Sequence, residues 1–508
     1  MRPEEEFSHV AVIKLDLDRA TSAVDRRILG GFTEHLGRCI YGGVFDEGSP
    51  LSDAEGFRTD VVEAVRRLKP PLMRWPGGNF VSGYHFADGI GPAASRPRRK
   101  DLAWHAEESN RFGTDEFMRF CQLIGAEPYL CVNMGTGTMD EAAAWVEYCN
   151  GTGDTYWANQ RRANGHEEPY GVRLWGLGNE MYGAWQIGQL SAADYVKAAR
   201  QFAKVMTWTD PSIELVSCGE TGWTDWDRVV IEGLAEFIRY HSVHIYTGSE
   251  DYWTNVLQPH QVEHALRVTG ALIEQVRYNQ HITHPIHVAY DEWNVWFRER
   301  EGREGLEERY SLADALAVAT YLHAFVRHAG LVKIANLAQL VNVIAPIVTS
   351  PDGLFLQSIY HPLRLFADHL GATALDVFVD AETHQLTQSA EPDPWPYRVA
   401  DAGPFPVLDA VATYTPAGSP DGGRLMLSVI NRDPVNDVSA EIRIANSLRR
   451  LDATVEELNS DAVDATNSFA APDRVSVSAG TIEKFGDGTS YTFPAHSLTV
   501  FTLPCVPE

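Results

Sequence analysis

Short apolar runs alternate with helical patterns between about residue 28 and residue 370, and most of these runs end in polar residues or glycine. The runs cover residues 30–37, 70–79, 127–135, 173–180, 213–220, 240–246, 286–294 and 331–340. Eight strands that alternate with helices are typical of a (β/α)8 barrel. The pattern therefore predicts an α/β protein built on a (β/α)8 TIM barrel.

The segments between these runs show the period of an amphipathic helix. In "TDVVEAVRRLK", Val61, Val65 and Leu68 fall on one stripe, and Thr59 or Asp60 is the predicted N-cap. We expect the apolar stripe to pack against the barrel strands.

The chain beyond about residue 375 has a different pattern. Alternating strands such as 424–432, 439–445 and 497–503 are separated by turns rich in Pro, Gly and Asp, which is typical of a β-sandwich. The sequence predicts a barrel over residues 28–375 and a C-terminal β-sandwich domain over residues 376–508.

The N-terminal segment alternates in the same way as these later strands. Ala11, Ile13, Leu15 and Leu17 fall on one face of an extended chain, and mostly polar residues fall on the other. A strand that precedes the barrel needs a sheet to pair with. We therefore expect residues 1–27 to contribute a strand to the C-terminal β-sandwich.

Composition and charge narrow the range of possible partners and cellular locations. The 508 residues are 44% hydrophobic and 22% charged, as in folded globular proteins, and they exceed the roughly 250–300 residues of a single core. A net charge of −27 repels phosphate backbones and anionic membranes, so neither nucleic acid nor a membrane is an expected partner. The start "MRPEEEFSHV" lacks the features of a secretory signal, and six cysteines without a CxxC pair suit a reducing compartment. We expect a cytoplasmic protein.

Candidate catalytic residues lie at the predicted strand ends, where (β/α)8 enzymes carry their chemistry. The polar residues there are Glu34, Arg74, Asn79, Asn179, Glu180, His244, Tyr246, Glu292 and Gln339. Glu180 and Glu292 are 112 residues apart, or about three βα units, which assigns them to the fourth and seventh strands. Two carboxylates on these strands can face each other across the mouth of a closed barrel.

A facing carboxylate pair suits a glycosidase, in which one group protonates the leaving oxygen and the other is nucleophile or base. An isolated Asn-Glu pair such as Asn179–Glu180 is more often a helix N-cap. Two further observations favour catalysis: the second carboxylate in "YDEWN" and a set of aromatic residues near the predicted rim. The aromatic residues are Trp75, Trp104, Tyr246, Trp293 and Trp296.

Nine segments, in order along the barrel, carry a family resemblance. They are "FTEHLGRCIYGGVFD" (32–46), "MRWPGGNFVSGY" (73–84), "DGIGP" (88–92), "DLAWH" (101–105), "FGTDEFM" (112–118), "WGLGNEMYGAWQIG" (175–188), "HIY" (244–246), "DEWNVWF" (291–297) and "NLAQLVNVIAPI" (336–347). Together they resemble glycoside hydrolase family 51, the α-L-arabinofuranosidases. Phe86 departs from the family's usual tryptophan, which bears on the preferred aglycone.

The resemblance implies roles for the candidate residues. Glu180 would be the acid/base and Glu292 the nucleophile. Glu34, Arg74, Asn79, Asn179, Tyr246 and Gln339 would line the subsite that holds the furanose ring. His244 either tunes the carboxylates or is structural, and Trp104 and Trp296 either stack on the aglycone or pack in the rim. Glu220 also ends a strand, but we interpret it as a supporting residue or a helix cap.

The implied function is that of a retaining, exo-acting α-L-arabinofuranosidase for hemicellulose or arabinan fragments, and family members commonly form hexamers. Two alternatives stay open: a clan relative that acts on β-linked xylan or glucan, and a carbohydrate-binding barrel without catalysis. A phosphate-binding barrel is disfavoured because the segment after Gln339 has no glycine-rich loop. The sequence shows no metal cluster or nucleotide motif, so we expect no metal and no cofactor.

Overall fold

The computed structural model describes residues 10–297, 306–387, 399–419, 422–445 and 450–504. The first nine residues of the predicted N-terminal segment and Cys505 lie outside these ranges.

The strands, in chain order, are β1 (Ala11–Ala23), β2 (Gly30–Phe32), β3 (Leu72–Trp75), β4 (Arg99–Lys100), β5 (Glu107–Glu108), β6 (Glu127–Val132), β7 (Leu174–Leu177), β8 (Glu214–Ser217), β9 (Ile238–Thr247), β10 (His287–Val295), β11 (Val332–Leu337), β12 (Ile347–Ser350), β13 (Gly353–Leu356), β14 (Thr373–Asp380), β15 (Thr383–His384), β16 (Phe405–Pro406), β17 (Leu408–Thr415), β18 (Arg424–Asn431), β19 (Val438–Ala445), β20 (Leu451–Asn459), β21 (Ser476–Phe485), β22 (Thr489–Phe493) and β23 (Ser497–Pro504). The α-helices are α1 (Thr59–Leu68), α2 (Thr114–Ile124), α3 (Met139–Asn150), α4 (Tyr156–Ala163), α5 (Ala192–Thr209), α6 (Asp225–Leu234), α7 (Tyr252–Leu257), α8 (Gln261–Gln280), α9 (Leu312–Arg327) and α10 (Tyr360–His369).

Eight parallel strands close into a barrel in the order β10-β11-β2-β3-β6-β7-β8-β9. Each of the eight predicted apolar runs contains one of these strands, so the predicted (β/α)8 barrel is confirmed. A layer of buried side chains fills the barrel interior: Leu72, Tyr129, Leu174, Val216, Tyr240, Ala289 and Ile334. The interior is a packed core, which leaves the strand ends to form the site.

Helix α1 packs as its sequence predicts but begins differently. Val61, Val65 and Leu68 are buried, yet the N-cap residue is Arg58, so the prediction of Thr59 or Asp60 was wrong. The Thr59 hydroxyl instead donates to the backbone oxygen of Leu51 at 2.9 Å, and the Asp60 carboxylate accepts from the Arg58 guanidinium at 2.9 Å. Residues that precede the helix therefore bind both side chains, and neither side chain caps the helix terminus.

The C-terminal domain is one nine-stranded sheet in the order β21-β20-β23-β18-β17-β14-β1-β19-β22. Strands β21 and β22 are its two edges, yet Phe485 and Phe493, which end these strands, both contact Phe501 of β23, with ring centroids 4.9 and 6.1 Å apart. The sheet therefore folds over a common aromatic core. A barrel with a C-terminal sheet domain is the predicted fold class, and it is confirmed.

Strand β1 lies inside this sheet, antiparallel to β14 and parallel to β19. Ala11, Ile13 and Leu15 point into the core of the sheet domain and are almost fully buried. The predicted boundary at residue 375 falls within β14, so the change from barrel to sheet comes between α10 and β14.

A buried ionic cluster joins the barrel to the sheet. Asp409 of β17 contacts His323 of α9 at 2.9 Å and Arg432, which follows β18, at 2.9 Å, and it also pairs with Arg327 of α9. Burial would raise the pKa of Asp409, but the charges of Arg327, Arg432 and His323 hold it well below its usual range. Across the described ranges, no helix combines the length and apolar character needed to cross a membrane.

Candidate active site

A cavity of about 370 Å³ opens at the carboxyl ends of the barrel strands. Its lining includes eight of the predicted site residues: Glu34, Asn79, Trp104, Glu180, Tyr246, Glu292, Trp296 and Gln339. Arg74 and His244 contact the carboxylates of this lining, and Asn179 accepts a hydrogen bond from Arg74. The structure thus brings every predicted site residue into one cluster.

A β-bulge in β10 places two consecutive carboxylates inside the barrel. Ala289 pairs with Ser242 of β9, but Glu292 pairs with His244, so three steps along β10 match two along β9. Asp291 and Glu292 therefore both reach polar partners in the interior, although successive side chains of a regular strand point to opposite faces.

Both oxygens of Glu292 are held by hydrogen bonds. Arg74 donates through Nη1 to Oε1 at 2.7 Å, and the Tyr246 hydroxyl donates to Oε2 at 2.8 Å. The two donors fix the orientation of the carboxylate.

Arg74 links the two strand-end motifs. It is almost fully buried, and its Nη2 donates to Oδ1 of Asn179 at 2.6 Å. Burial disfavours its charge, but Asp291 and Glu292 outweigh this effect and raise its pKa well above its usual value. The Asn179 Nδ2 group is buried and has no hydrogen-bond partner among the described residues, so it is free to donate to a ligand.

Glu180 follows β7 in a left-handed backbone conformation, with φ of +43°. His244 Nδ1 lies 3.0 Å from Oε1, the Tyr182 hydroxyl donates to the same oxygen at 3.3 Å, and Trp185 donates through Nε1 to Oε2 at 2.7 Å. Burial pushes the pKa of Glu180 upward, but the hydrogen bond and charge of His244 and the other two donors lower it overall.

His244 bridges the carboxylates of the site. Its Nε2 lies 2.8 Å from Oδ1 of Asp291, and its Nδ1 lies 3.7 Å from Oε2 of Glu292. Burial disfavours the imidazolium, yet the charges of Glu292 and Asp291 and hydrogen bonds to Asp291 and Glu180 raise the pKa of His244 to about 10. His244 therefore contacts all three carboxylates of this cluster, and both of its predicted roles, tuning and structural, stay predictions.

Glu34 forms the opposite wall of the cavity. Its Oε1 accepts from the backbone N–H of Phe80 at 3.1 Å and from Nε1 of Trp104 at 3.0 Å, and its Oε2 accepts from Nε2 of Gln339 at 3.1 Å. Complete burial, together with the charge of Glu292, outweighs these donors and raises the pKa of Glu34 to about 7.

The aromatic candidates differ in position. Trp104 binds Glu34 through its indole N–H, which places it beside the acidic wall, whereas Trp296 packs edge-on against Tyr246 at 5.5 Å between ring centroids. Phe86 stacks on Trp145 at 5.5 Å and is buried, so it lies in the aromatic core and does not line the cavity.

Glu220 supports the N-cap residue of a helix. Its Oε2 accepts from the Thr224 hydroxyl at 2.6 Å, and Thr224 is the N-cap of α6. This contact agrees with the predicted supporting or capping role.

Sequence reasoning missed several residues of the site. Asp291 binds His244 and accepts from the Tyr129 hydroxyl at 2.9 Å, and its position next to Glu292 in "YDEWN" was the available signal. Trp185 was present in the "GNEMYGAW" segment but was not singled out. Four further apolar residues of the lining were not singled out either: Leu36, Leu306, Val343 and Ile344.

The spacing of the two glutamates limits the chemistry. One oxygen of Glu180, one oxygen of Glu292 and one ring nitrogen of His244 all lie within 4.8 Å of one another. Retaining glycosidases hold their carboxyl groups about 5–5.5 Å apart, whereas inverting enzymes separate them by about 6.5–9.5 Å to admit a water. The separation of Glu180 and Glu292 lies on the retaining side.

Comparisons with known proteins follow this geometry. Residues 64–263 match the family described as "Alpha-L-arabinofuranosidase 1 domain", and residues 291–497 match "Alpha-L-arabinofuranosidase C-terminal domain". The "Probable alpha-L-arabinofuranosidase C" of Aspergillus clavatus is 41% identical over 515 residues, covering 98% of this chain and 97% of that protein.

Two bacterial proteins are equally similar in sequence. The "Intracellular exo-alpha-(1->5)-L-arabinofuranosidase" of Halalkalibacterium halodurans is 41% identical over 370 residues, covering 69% of this chain and 74% of that protein. The thermostable GH51 α-L-arabinofuranosidase of Thermotoga petrophila superimposes with a TM-score of 0.88 at 41% identity, covering 97% of this chain and 100% of that one.

Proposed function

The chain belongs to the α-L-arabinofuranosidases of glycoside hydrolase family 51, and we propose that it removes terminal α-L-arabinofuranosyl residues from oligosaccharides by double displacement. The observation that carries the proposal is the pair of carboxylates within 4.8 Å, one held by Arg74 and Tyr246 and the other by His244 and Trp185. The substrate class rests on the family; the roles rest on these contacts.

Glu292 is the nucleophile of the first step. One of its oxygens bonds to C1 of the sugar while the glycosidic C1–O bond breaks, and the leaving oxygen takes a proton from Glu180. A nucleophile must be held in orientation, and the donors on both oxygens of Glu292 meet this requirement.

Glu180 is the acid of the first step and the base of the second. The first role needs a proton on Glu180, whereas the contacts in the ligand-free site favour its carboxylate form. His244 Nδ1 is 3.0 Å from Oε1, so a proton can move from the imidazolium to Glu180 without changing the net charge of the pair. Glu180 then takes a proton from the water that attacks C1, the Glu292–C1 bond breaks, and the product keeps its anomeric configuration.

The remaining candidates hold the furanose ring. The unpartnered Nδ2 group of Asn179 suits a ring hydroxyl next to the reacting carbon, a contact that strengthens as positive charge develops on the sugar. Glu34, Asn79 and Gln339 line the cavity with further polar groups. Gly78 completes the subsite, because a Cβ atom there would lie 3.2 Å from Oε1 of Glu292 and 3.4 Å from Oε2 of Glu34.

The location and assembly state belong to the same proposal. We infer a cytoplasmic protein, and a supporting observation is that the Halalkalibacterium halodurans relative is described as intracellular. A homo-hexamer follows from the family resemblance alone. Size-exclusion chromatography with light scattering measures the assembly state directly.

Truncation of the two glutamates tests the assignment of roles. Glu180→Ala should retain turnover of an activated aryl α-L-arabinofuranoside but lose about 10²–10⁴-fold with a poor leaving group, which needs protonation. Glu292→Ala should lose turnover of both substrates, because no glycosyl-enzyme can form. Glu168→Ala, which removes an exposed carboxylate, is the control and should stay active.

Azide separates the two roles by stereochemistry. In Glu180→Ala, azide should attack the glycosyl-enzyme and give an azide product with retained configuration; in Glu292→Ala, any azide product should be inverted. Proton NMR of the first-formed product reads the configuration. Exchanged behaviour of the two variants would reverse the roles, and faster turnover of aryl β-D-xyloside or β-D-glucoside than of the arabinofuranoside would overturn the substrate class.

A further inference from the structure

Trp185 occupies an unusual position at the mouth of the site. Trp185 is 59% exposed, yet its indole N–H donates to Oε2 of the partly buried Glu180 at 2.7 Å. An exposed tryptophan on a loop needs no such partner for stability, because water satisfies its N–H. The contact therefore points to a role in the chemistry of Glu180.

The loop after β7 is built to hold this indole. Gly183 accommodates it, because a Cβ atom there would lie 2.5 Å from Cε2 of Trp185. The N–H of Gly183 donates to the backbone oxygen of Glu180 at 2.8 Å, and the N–H of the buried Gln186 donates to the oxygen of Gly183 at 3.0 Å. Tyr182 packs edge-on against the indole at 6.0 Å between ring centroids. The ring position is thus fixed by the backbone and by a neighbouring ring.

The contact makes the two oxygens of Glu180 different. An indole nitrogen can only donate a hydrogen bond, so Oε2 must accept and cannot carry the acidic proton towards Trp185. Oε1 faces Nδ1 of His244, which can either donate or accept. Oε1 is therefore the oxygen on which His244 can place and remove the acidic proton.

We infer that Trp185 is a positioning residue for both halves of the reaction: it fixes Oε1 as the proton-bearing oxygen of Glu180, and it stabilises the carboxylate form that accepts a proton from water. The inference rests on the proposed role of Glu180 as acid/base. The exposed ring of Trp185 also forms part of the cavity wall beside Glu180. Trp185 is thus placed to contact the departing aglycone.

Other groups also act on the Glu180 carboxylate and must stay in place during a test. They are His244 of β9, Glu292 of β10, Tyr182 of the same loop, and Cys218 and Glu220 after β8. Trp185→Phe keeps an aromatic ring and leaves all of them unchanged. Any effect on the ionisation of Glu180 then belongs to the lost N–H.

The test uses an activated aryl α-L-arabinofuranoside, for which the second step limits kcat. In that step Glu180 must be ionised, so kcat falls at acidic pH as Glu180 becomes protonated. Loss of a donor to the carboxylate raises the pKa of Glu180, so in Trp185→Phe this acid limb should move about 1–2 pH units higher. Trp208→Phe, which changes a tryptophan 79% exposed on α5, is the control and should match the wild type.

A second variant separates the effect of the lost hydrogen bond from the effect of the lost ring in the cavity wall. Trp185→Ala should shift the acid limb as Trp185→Phe does, and it should also raise KM for oligosaccharides with a bulky aglycone. Trp185→Phe should leave that KM close to the wild-type value. A loss of kcat at every pH without a shifted acid limb would reduce Trp185 to a structural residue and overturn the inference.

A direct titration keeps this inference separate from the proposed function. The infrared difference spectrum between the wild type and Glu180→Gln reports the carboxylate band of Glu180 without turnover. Its midpoint should lie about one pH unit or more higher in the Trp185→Phe background. An equal midpoint in both backgrounds overturns the inference alone, whereas absence of arabinofuranosidase activity in the wild type overturns the proposed function alone.

Discussion

The burial of Glu34 should make the free energy of unfolding depend on pH, and Glu34→Gln should remove this dependence. The carboxyl group is completely buried beside Glu292, and its pKa rises to about 7 from an ordinary value of 4.5. Because the folded-state pKa is the higher one, Glu34 contributes stability that is fully present below about pH 4.5. That contribution is lost as the pH rises through about 7.

The magnitude follows from the size of the shift. A difference of about 2.5 pKa units corresponds to about 3 kcal/mol at 1.36 kcal/mol per unit, which is the cost of ionising the buried group. At pH 5 only a small part of this cost applies, and at pH 8 almost all of it does. Glu34→Gln has no charge to bury and avoids the cost.

The expected result is a widening gap between the two proteins. The free energy of unfolding of Glu34→Gln minus that of the wild type should increase by about 2–3 kcal/mol between pH 5 and pH 8. The amide nitrogen of Gln cannot accept from Nε2 of Gln339, which costs about 1 kcal/mol, but this loss does not change with pH. The slope against pH, rather than the absolute difference, is therefore the diagnostic quantity.

Urea unfolding followed by tryptophan fluorescence, at half-unit steps of pH, measures the gap. Glu168→Gln, which removes an exposed carboxylate, controls for the general effect of one charge less on a protein of net charge −27. A gap that stays constant from pH 5 to pH 8, or that widens equally in the control, would refute the argument. The gain in stability should come with a loss of activity, because Glu34 lines the proposed ring subsite.

Two further predictions concern other contacts. Tyr246→Phe removes the hydroxyl that donates to Oε2 of Glu292 at 2.8 Å, so kcat/KM for an aryl arabinofuranoside should fall about 10–100-fold, and an unchanged value would contradict the contact. Asp409→Asn removes the carboxylate that pairs with the buried Arg432 and His323 and with Arg327, and it should lower the free energy of unfolding by about 3–5 kcal/mol, measured by urea unfolding, with KM unchanged.

The barrel was predictable because its signal is local. Each strand is a short buried run, and a buried strand must be apolar whatever its neighbours are. Each strand can therefore be recognised from its own sequence. Alternation of apolar and polar residues indicated the strands of the C-terminal sheet. The same alternation at Ala11, Ile13 and Leu15 indicated β1. The N-cap of α1 failed because Thr59 and Asp60 bind Leu51 and Arg58, contacts that no helix pattern contains.

The site was predictable only in part, for a related reason. A polar residue at the end of an apolar run has no packing purpose, so Glu180 and Glu292 stood out in the sequence by contrast. Asp291 did not, because regular alternation points it away from the barrel interior and only the bulge in β10 turns it inward. The pairing of β10 with β9 creates that bulge, and the sequence of one strand does not show its register with a neighbouring strand.

The sequence by itself determined the strands, the two carboxylates and the family. The tertiary structure decided which oxygen of each carboxylate meets which donor: Arg74 and Tyr246 on Glu292, and His244 and Trp185 on Glu180. The physical reason is that burial follows from the polarity of each side chain, and the sequence gives that polarity residue by residue. Charge and proton position instead depend on distances of about 3 Å between residues far apart in the chain, and only the closed barrel sets those distances.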